Sequence, residues 1–277
     1  MYFRMGKTDS SSFAVVTGAS RGLGRAFAVE LAQRGINEIL VSSNENISSL
    51  CHELINQYHI DCQYVVFDLT NEESVLEAAK EILAIGDVFM LVNNAGLGGS
   101  RAFEQTDEAY IQKILHLNVF APSLLIRQLL PNLLHQPHSY ILNVSSMAAL
   151  TPMGYKMVYP ASKSYLYALS KSLRAEFKLR GLTVSVVTPG AMATSPEIVK
   201  RIEKQKFLGK LTLVPPERVA RKCVRQLLRG RSEIVVNPVS WFFSKIIPNW
   251  IKVPILTRIV NREVENREGK GTFADRH

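Results

Sequence analysis

The segment TGASRGLG, residues 17–24, places three glycines at the junction between an apolar run and an amphipathic one. The apolar run, residues 13–17, predicts a β-strand, and residues 21–34 have the spacing of a helix. Glycines here permit a tight turn and let backbone N–H groups approach an anion at the positive end of the helix. Many turns contain glycine for conformational reasons alone, but the position between strand and helix favours phosphate binding.

Short apolar runs alternate with longer amphipathic segments along most of the chain. The strand-like runs are residues 13–17, 39–42, 63–67, 88–92, 140–144, 183–187 and 233–236. The helical patterns are residues 21–34, 47–59, 72–85, 107–135, 160–179 and 216–229. Such alternation predicts an α/β fold, a Rossmann-like doubly wound parallel sheet of about seven strands with helices on both faces. Ligands of such sheets bind beyond the carboxyl ends of the strands.

Composition places the chain among ordinary globular proteins. Of its 277 residues, 47% are hydrophobic and 21% are charged, which is enough apolar material for one large domain. Cys51, Cys62 and Cys223 form no CxxC pair and no cluster with histidine, so we expect neither a metal site nor a disulfide framework. Residues 1–12 contain no long apolar run. Together these features lead us to expect a cytoplasmic location.

The net charge of +9 is compatible with nucleic acid, an anionic membrane surface or a phosphorylated cofactor as partner. Residues 200–231 hold eleven basic and two acidic side chains. Within that segment the basic residues of 216–229 lie opposite apolar ones at helical spacing, which favours a solvated helix face. We therefore expect no nucleic-acid partner.

Further motifs follow the glycine loop in a fixed order. They are Asp68 after the third predicted strand, NNAG (residues 93–96) after the fourth, Asn118 in the next helix, Ser146 after the fifth strand, YPASK (residues 159–163) opening a helix, and Pro189, Gly190 and Thr194 after the sixth strand. With the GxxxGxG spacing of the glycine loop, this collinear set resembles the short-chain dehydrogenase/reductase family over roughly residues 13–237. The resemblance implies hydride transfer between a nicotinamide cofactor and a carbonyl or alcohol substrate, in a homodimer or homotetramer.

The end of the second strand bears on the choice between NAD and NADP. A carboxylate there would hold the ribose 2′-hydroxyl and repel a 2′-phosphate. This chain has Ser42, Ser43 and Asn44 at that position, and Glu45 is the first carboxylate. Arg21 offers a positive partner for the phosphate, as basic residues there do in NADP-using relatives, although a second basic residue often found near Ser43 is missing. NADP(H) is favoured over NAD(H).

The resemblance also implies the remaining cofactor contacts. They are Gly18, Ser20, Gly22, Leu23 and Gly24 in the glycine loop, Asp68 and Leu69 at the adenine, Asn94, Ala95 and Gly96 after the fourth strand, Tyr159 and Lys163 in the helix, and Pro189, Gly190 and Thr194 after the sixth strand. A second interpretation of Asp68 is a helix N-cap.

Tyr159 and Lys163 are four residues apart and so share one face of a helix. A free phenol has a pKa of about 10, too high for proton exchange at neutral pH. An ammonium about 4 Å away would stabilise the phenolate by up to ~4 kcal/mol at an effective dielectric of about 20. We expect the pair to act as general acid or base near neutral pH, and the resemblance adds that Lys163 holds the nicotinamide ribose.

Ser146 precedes Tyr159 by thirteen residues, the separation usual in the family. Its hydroxyl is expected to hydrogen-bond the substrate oxygen and stabilise the charge that develops there. Ser145 is the alternative for this role, with a separation one residue too long. Asn118 would, by the resemblance, bend the long helix and hold a water that links the lysine to solvent.

Apolar residues in the loops after strands four to six suggest a lipophilic ketone or alcohol as substrate, although such residues also serve packing. They are Leu97, Leu150, Met153, Met157 and Met192. Residues 195–213 resemble the substrate lid of the family. Four lysines in that segment suit an anionic substrate such as an acyl carrier, or simply face water.

Residues 238–277 continue beyond the expected end of the domain at residue 237. They combine apolar and aromatic residues with prolines and lysines in a pattern too interrupted for a membrane span. We expect this extension to pack on the domain or in an oligomer interface, with peripheral membrane contact as the alternative.

The sequence therefore predicts an oxidoreductase that acts on a lipophilic ketone or acyl-type substrate. Two alternatives stay open at this point, a catalytically silent cofactor-binding regulator and a lipid reductase at a membrane surface.

Overall fold

The computed structural model describes residues 12–156, 158–190 and 214–274 of the chain. One sheet of seven strands forms its centre: β1 (Ser12–Thr17), β2 (Glu38–Ser42), β3 (Cys62–Val66), β4 (Asp87–Asn93), β5 (Ser139–Val144), β6 (Leu182–Thr188) and β7 (Glu233–Val235). The spatial order is β3-β2-β1-β4-β5-β6-β7, and every neighbouring pair is parallel. The predicted doubly wound parallel sheet is confirmed.

Helices cover both faces of the sheet. They are α1 (Gly22–Ala32), α2 (Ile47–Tyr58), α3 (Glu72–Ile85), α4 (Glu108–Leu115), α5 (Ala121–His135), α6 (Val158–Phe177), α7 (Pro216–Leu228), α8 (Pro238–Ile246) and α9 (Asn249–Ala274). Helices α1, α2 and α7 pack on one face, and α3, α5 and α6 pack on the other. Successive residues of β1 alternate between these two cores, with Ala14 and Val16 in one and Phe13 and Val15 in the other.

The order of strands reverses at β1, which has β2 on one side and β4 on the other. The loops that follow β1 and β4 therefore leave in opposite directions and open a crevice between them, the usual ligand position in such sheets. Residues 17–24 and 93–96 form the two walls of this crevice, so the fold brings the glycine loop and the NNAG motif together.

The long helix predicted over residues 107–135 is interrupted. Helix α4 begins after Asp107, whose carboxylate accepts a hydrogen bond from the Tyr110 N–H (2.7 Å), and a π-helical turn at His116–Phe120 separates it from α5. The stretch Glu108–His135 is long and apolar enough to cross a membrane by length and composition. Its residues Leu125 and Leu129 are fully or almost fully buried, as in the core helix of a folded domain. The π-turn contains Asn118, and such turns often mark functional sites.

Helices α8 and α9 follow the last strand, and hydrogen bonds join both of them to the domain. The indole N–H of Trp241 donates to Glu233 Oε1 (2.7 Å), and the hydroxyl of Tyr167 donates to Glu233 Oε2 (2.8 Å). Burial alone would raise the pKa of Glu233, but these bonds, with one from Lys171, lower it below its usual value. The Gly154 N–H donates to Thr257 Oγ1 of α9 (2.9 Å).

These contacts join both helices to the loops near β5 and β7. The boundary between the domain and the extension, placed at residue 237 from the sequence, stays a prediction.

Candidate active site

The glycine loop forms a cradle that side chains would fill. Gly18 (φ +66°) and Gly22 (φ +57°) lie in the left-handed region, which L-residues rarely adopt. A Cβ placed on Gly24 would lie 2.0 Å from the carbonyl oxygen of Gly18. The first turn of α1 therefore approaches the loop backbone so closely that only hydrogen fits at residue 24.

The N-terminus of α1 is open to an anion. Arg21 occupies the N-cap position without a side-chain hydrogen bond to the helix, and the first turn contains no acidic residue. The first N–H groups of a helix have no partner within the helix, and its dipole adds partial positive charge at the same point. This end of α1 is suited to a phosphate group.

Hydrogen bonds from Asn94 tie the NNAG motif to the glycine loop. Its amide Nδ2 donates to the carbonyl oxygens of Thr17 (3.0 Å) and Gly18 (3.3 Å). In return, Thr17 Oγ1 accepts from the backbone N–H groups of Asn94 and Ala95, both at 3.0 Å. The sequence interpretation missed Thr17, because nothing in the sequence distinguishes a cross-linking threonine from an ordinary strand residue.

At the end of β2, the two predicted serines differ in exposure. Ser42 is buried and its Oγ accepts from the Asn44 N–H (3.0 Å), whereas Ser43 is exposed. Arg21 is also exposed. Ser43 and Arg21 are thus the predicted residues of this region that present side chains to solvent.

The predicted adenine contacts, Asp68 and Leu69, follow β3. Asp68 is exposed and its Oδ1 accepts from the N–H (3.0 Å) and the hydroxyl (2.8 Å) of Thr70. It does not cap α3, because Asn71 does so with a bond from the Ser74 N–H (3.1 Å). Leu69 is buried in the core.

Lys163 carries an ammonium group in the interior. The residue is 4% exposed, and its Nζ donates to the carbonyl oxygen of Val144 at the end of β5 (2.9 Å). Burial disfavours the charged form and lowers the pKa of Lys163 to about 8. A Cβ on Gly96 would lie 3.0 Å from this Nζ and 3.2 Å from Asn118 Oδ1, so three predicted site residues converge here.

Asn118 is buried and fully engaged. Its Oδ1 accepts from the Leu97 N–H (2.9 Å), and its Nδ2 donates to Leu97 O (2.8 Å) and to Ser162 Oγ (2.9 Å). Ser162 in turn donates to the carbonyl oxygen of Tyr159 (2.8 Å). Asn118 therefore joins the π-turn, the loop after β4 and α6. The sequence interpretation did not identify Ser162, although it lies directly before Lys163.

Tyr159 lies at the start of α6 with its ring against the backbone of Gly98, where a Cβ would be 3.0 Å from two ring carbons. Burial raises the pKa of Tyr159, and a hydrogen bond with Ser146 opposes that change. The sequence predicted that Lys163 would lower the pKa of Tyr159, but in the structure this pKa is shifted by burial and by Ser146. The Lys163 ammonium donates its hydrogen bond to the carbonyl oxygen of Val144.

The two candidate serines have different partners. Ser145 is buried and its hydroxyl donates to the carbonyl oxygen of Lys163 (2.8 Å), which fixes α6 to the end of β5. Ser146 is half-buried, accepts from the Ala148 N–H (3.1 Å) and lies close enough to the hydroxyl of Tyr159 to lower its pKa. This geometry favours Ser146 over Ser145 for contact with a substrate.

The residues after β6 are described only as far as Gly190. The carbonyl oxygen of Pro189 accepts from the Met147 N–H (2.9 Å), which joins the loops after β5 and β6. Thr188 Oγ1 is buried without a hydrogen-bond partner among the described residues, at the edge where a ligand would bind. Thr194, Met157, Met192 and the segment 195–213 lie outside the described residues.

A cavity of about 340 Å³ borders Met147, the residue that follows Ser146. Its walls come from the loops after β5 and β6 and from both C-terminal helices. The lining residues are Met147, Ala148, Thr151, Met153, Gly190, Val214, Val236, Asn237, Ser240, Ser244 and Leu256. Met153 was predicted here, whereas Leu97 and Leu150 are not among the lining residues. The contribution of α8 and α9 was missed, because sequence spacing gives no sign of where an extension returns.

Comparison with known proteins identifies the family. A family model described as short chain dehydrogenase matches residues 12–206. The chain belongs to this family. A very-long-chain 3-oxoacyl-CoA reductase-like protein of Arabidopsis thaliana is 33% identical over 248 residues, which are 86% of this chain and 78% of the relative.

Two further comparisons bear on the short-chain dehydrogenase. A human protein named inactive hydroxysteroid dehydrogenase-like protein 1 is 30% identical over 263 residues, 91% of this chain and 78% of that one. A metagenomic short-chain oxidoreductase solved in complex with NADP has a TM-score of 0.68 and 28% identity, over 83% of this chain and 99% of that one. The chain is thus an oxidoreductase of CH–OH and keto groups and uses a nicotinamide cofactor.

The residues present fit such a cofactor. The glycine cradle and the open N-terminus of α1 suit its pyrophosphate, Asp68 and Ser43 are exposed where its adenosine would lie, and the buried ammonium of Lys163 suits ribose hydroxyl groups. When bound, the cofactor supplies or accepts hydride at its nicotinamide ring.

Substitution of Gly24 by alanine tests the cradle. We expect Gly24→Ala to lower the free energy of unfolding by about 1–3 kcal/mol, because the new methyl group overlaps the Gly18 carbonyl. Cofactor affinity should fall at least about tenfold, an effect of the same free-energy size. Thermal unfolding and fluorescence titration with NADPH measure the two effects. The control for stability is Gly190→Ala, where a Cβ meets no atom of the described residues within 4 Å and the free energy of unfolding should not change.

Proposed function

We propose that the protein is an NADPH-dependent reductase of lipophilic ketones, with 3-oxoacyl thioesters as the leading substrate class. The observation that carries this proposal is the cavity that borders Met147, with walls that are largely apolar and include Met153 and Leu256. Its volume of about 340 Å³ is within the range of small-molecule sites. The name of the Arabidopsis relative, a 3-oxoacyl-CoA reductase-like protein, supports the acyl class.

In the proposed reaction, the side chains of this site act on the substrate oxygen. Ser146 hydrogen-bonds the carbonyl oxygen and stabilises the charge that grows on it. Tyr159 donates the proton that completes the alcohol. Lys163 holds the ribose of the cofactor and, through its charge, favours the phenolate left on Tyr159. Asn118 fixes α6 and the loop after β4 at the spacing that these contacts need.

NADPH rather than NADH is the proposed donor. Arg21 is exposed at the N-terminus of α1 and Ser43 is exposed at the end of β2, with no carboxylate between β2 and Glu45. This arrangement favours a 2′-phosphate, since its charge finds a guanidinium and no nearby acid. The family structure solved with NADP supports the same preference.

A second candidate is a catalytically silent cofactor-binding protein. The observation in its favour is the human relative whose name includes the word inactive. Against it, this chain places the hydroxyls of Tyr159 and Ser146 close together and a buried ammonium at Lys163. A protein that only binds cofactor would need the ammonium for the ribose but not the Tyr159 hydroxyl near Ser146, so the tyrosine favours catalysis.

The turnover experiment distinguishes the two candidates. We expect NADPH oxidation with medium- and long-chain 3-oxoacyl-CoA substrates or with lipophilic ketosteroids, and a loss of at least about 100-fold in kcat for Tyr159→Phe. Cofactor affinity, followed by fluorescence, should be retained because the phenyl ring keeps the packing on Gly98. The matched control is Tyr165→Phe, which removes an exposed hydroxyl from the same helix.

Tight NADPH binding without turnover on any of these ketones would contradict the reductase proposal and support the silent binding protein. Equal turnover by the wild type and Tyr159→Phe would contradict the assigned proton donor.

Removal of the Arg21 side chain tests cofactor choice. We expect Arg21→Ala to weaken NADPH binding about tenfold or more and to leave NADH binding unchanged, since only NADPH carries the 2′-phosphate. Arg25→Ala is the control: it removes the same charge one helical turn away, where Arg25 pairs with Glu53 (2.7 Å). Equal losses for both cofactors, or tighter wild-type binding of NADH, would refute the proposed preference.

A further inference from the structure

The outward faces of α8 and α9 are apolar, although a surface helix normally turns polar side chains to water. Among the side chains of these two helices that the structure describes, seven large apolar ones are exposed, and Trp250 is 77% exposed. They are Val239, Phe242, Phe243 and Ile246 of α8 and Trp250, Ile255 and Ile259 of α9. We call this set the C-terminal apolar face. A patch of this kind usually marks an interaction site.

The spacing shows that these side chains do not serve the packing of either helix on the domain. On α8 they recur at helical intervals, while Ser240 and Ser244 on the other side line the cavity. On α9 the side that faces the domain includes Leu256 in the cavity wall, Thr257 at Gly154 and Lys252, whose Nζ donates to the Leu150 carbonyl oxygen (3.4 Å). Both helices thus border the cavity with one side, and the C-terminal apolar face flanks it on the outside.

Basic charge accompanies this face. Residues 238–274, which form α8 and α9, contain six basic and three acidic residues, and the acidic ones, Glu263, Glu265 and Glu268, all follow the exposed apolar residues in the sequence. Lys245 and Arg258 are exposed among the apolar side chains. Lys245 Nζ lies 5.8 Å from the centre of the Trp241 ring and 3.2 Å from the Tyr167 hydroxyl, so the ammonium lies between α8 and α6.

The combination of apolar and basic side chains distinguishes between two partners for this face, a second copy of the chain and a membrane surface. In a symmetric contact with a second copy the same patch faces itself, so two helix pairs that each carry three more basic than acidic residues would meet. A bilayer with anionic headgroups satisfies both features. Aromatic and aliphatic side chains enter the boundary with the acyl chains, and lysine and arginine contact phosphate groups.

We propose that the C-terminal apolar face docks the protein on an anionic bilayer surface. Helices α8 and α9 lie in the interface plane, with Trp250 at headgroup depth and Phe242, Phe243 and Ile259 beneath it. The docking does not depend on the proposed function, because it requires neither cofactor nor substrate.

Flotation of the full chain with lipid vesicles tests this docking. Vesicles of phosphatidylcholine containing about one third phosphatidylserine should bind at least about tenfold more protein than pure phosphatidylcholine. The double variant Phe243→Ser, Trp250→Ser should reduce that binding at least about tenfold by removing apolar anchors. Arg258→Glu should reduce binding to the anionic vesicles about tenfold and leave the weak binding to phosphatidylcholine unchanged.

Two matched controls lie outside the face. Leu179→Ser removes the most exposed apolar side chain of the described residues, 96% exposed after α6, and Arg225→Glu makes the same charge change on α7. Both should bind vesicles as the wild type does. Circular dichroism checks the fold of each variant, and where the double variant does not fold, Arg258→Glu and the dependence of binding on salt decide.

The proposal is overturned if the wild type floats with neither vesicle, or if the patch variants bind as well as the controls do. It is also overturned if the double variant converts an oligomer to a monomer in size-exclusion chromatography while vesicle binding is absent, because the face is then an interface between copies.

Discussion

The hydrogen bond from the Lys163 ammonium to the carbonyl oxygen of Val144 fixes the geometry of the site. It places a cation in the interior, where burial costs free energy unless a polar partner is present. Ser145 adds a second bond in the reverse direction, from β5 to the backbone of Lys163. Together these bonds hold the start of α6 at the carboxyl end of the sheet. Tyr159, four residues earlier, is thereby fixed beside Ser146 and Gly98.

The same arrangement links the cofactor crevice to the substrate cavity. On one side, Gly96 and Asn118 approach the ammonium so closely that Gly96 could carry no side chain without displacing one of them. On the other side, the loop after Ser146 leads directly into the cavity, with Met147 and Ala148 in its wall. Hydride donor and carbonyl would therefore meet at Tyr159 and Ser146. The C-terminal helices complete the cavity through Ser240, Ser244 and Leu256, so under the proposed function the extension would contact the substrate.

Much of the fold follows from the sequence, because strands buried on both faces and amphipathic helices have distinct periodicities. The glycine loop, NNAG and YPASK motifs also indicate the site, since each opens or follows an element at the carboxyl edge of the sheet. Side-chain partners were not predictable in this way. That Thr17 joins two loops depends on tertiary distances. Asp68 and Asn71 are both suited by type to cap α3, and the sequence does not tell which of them does so. The π-turn at Asn118 and the return of α8 and α9 to the cavity have no sequence periodicity of their own.

The expected effect of Lys163 on Tyr159 shows the same limit. Spacing of four residues places both on one face of α6, yet the direction of the ammonium depends on which acceptor lies nearer, and here that acceptor is Val144. The pKa of Tyr159 is raised by burial and opposed by Ser146, while the pKa of Lys163 falls to about 8. Burial therefore disfavours the charged form of both side chains.

The most direct test is an NMR titration of the Lys163 ammonium in protein labelled with ¹⁵N-lysine, with its resonance assigned by comparison with Lys163→Met. The buried position predicts a midpoint near the pKa of about 8. A midpoint at the ordinary lysine value of about 10.5 would show a solvated ammonium and contradict the proposed site.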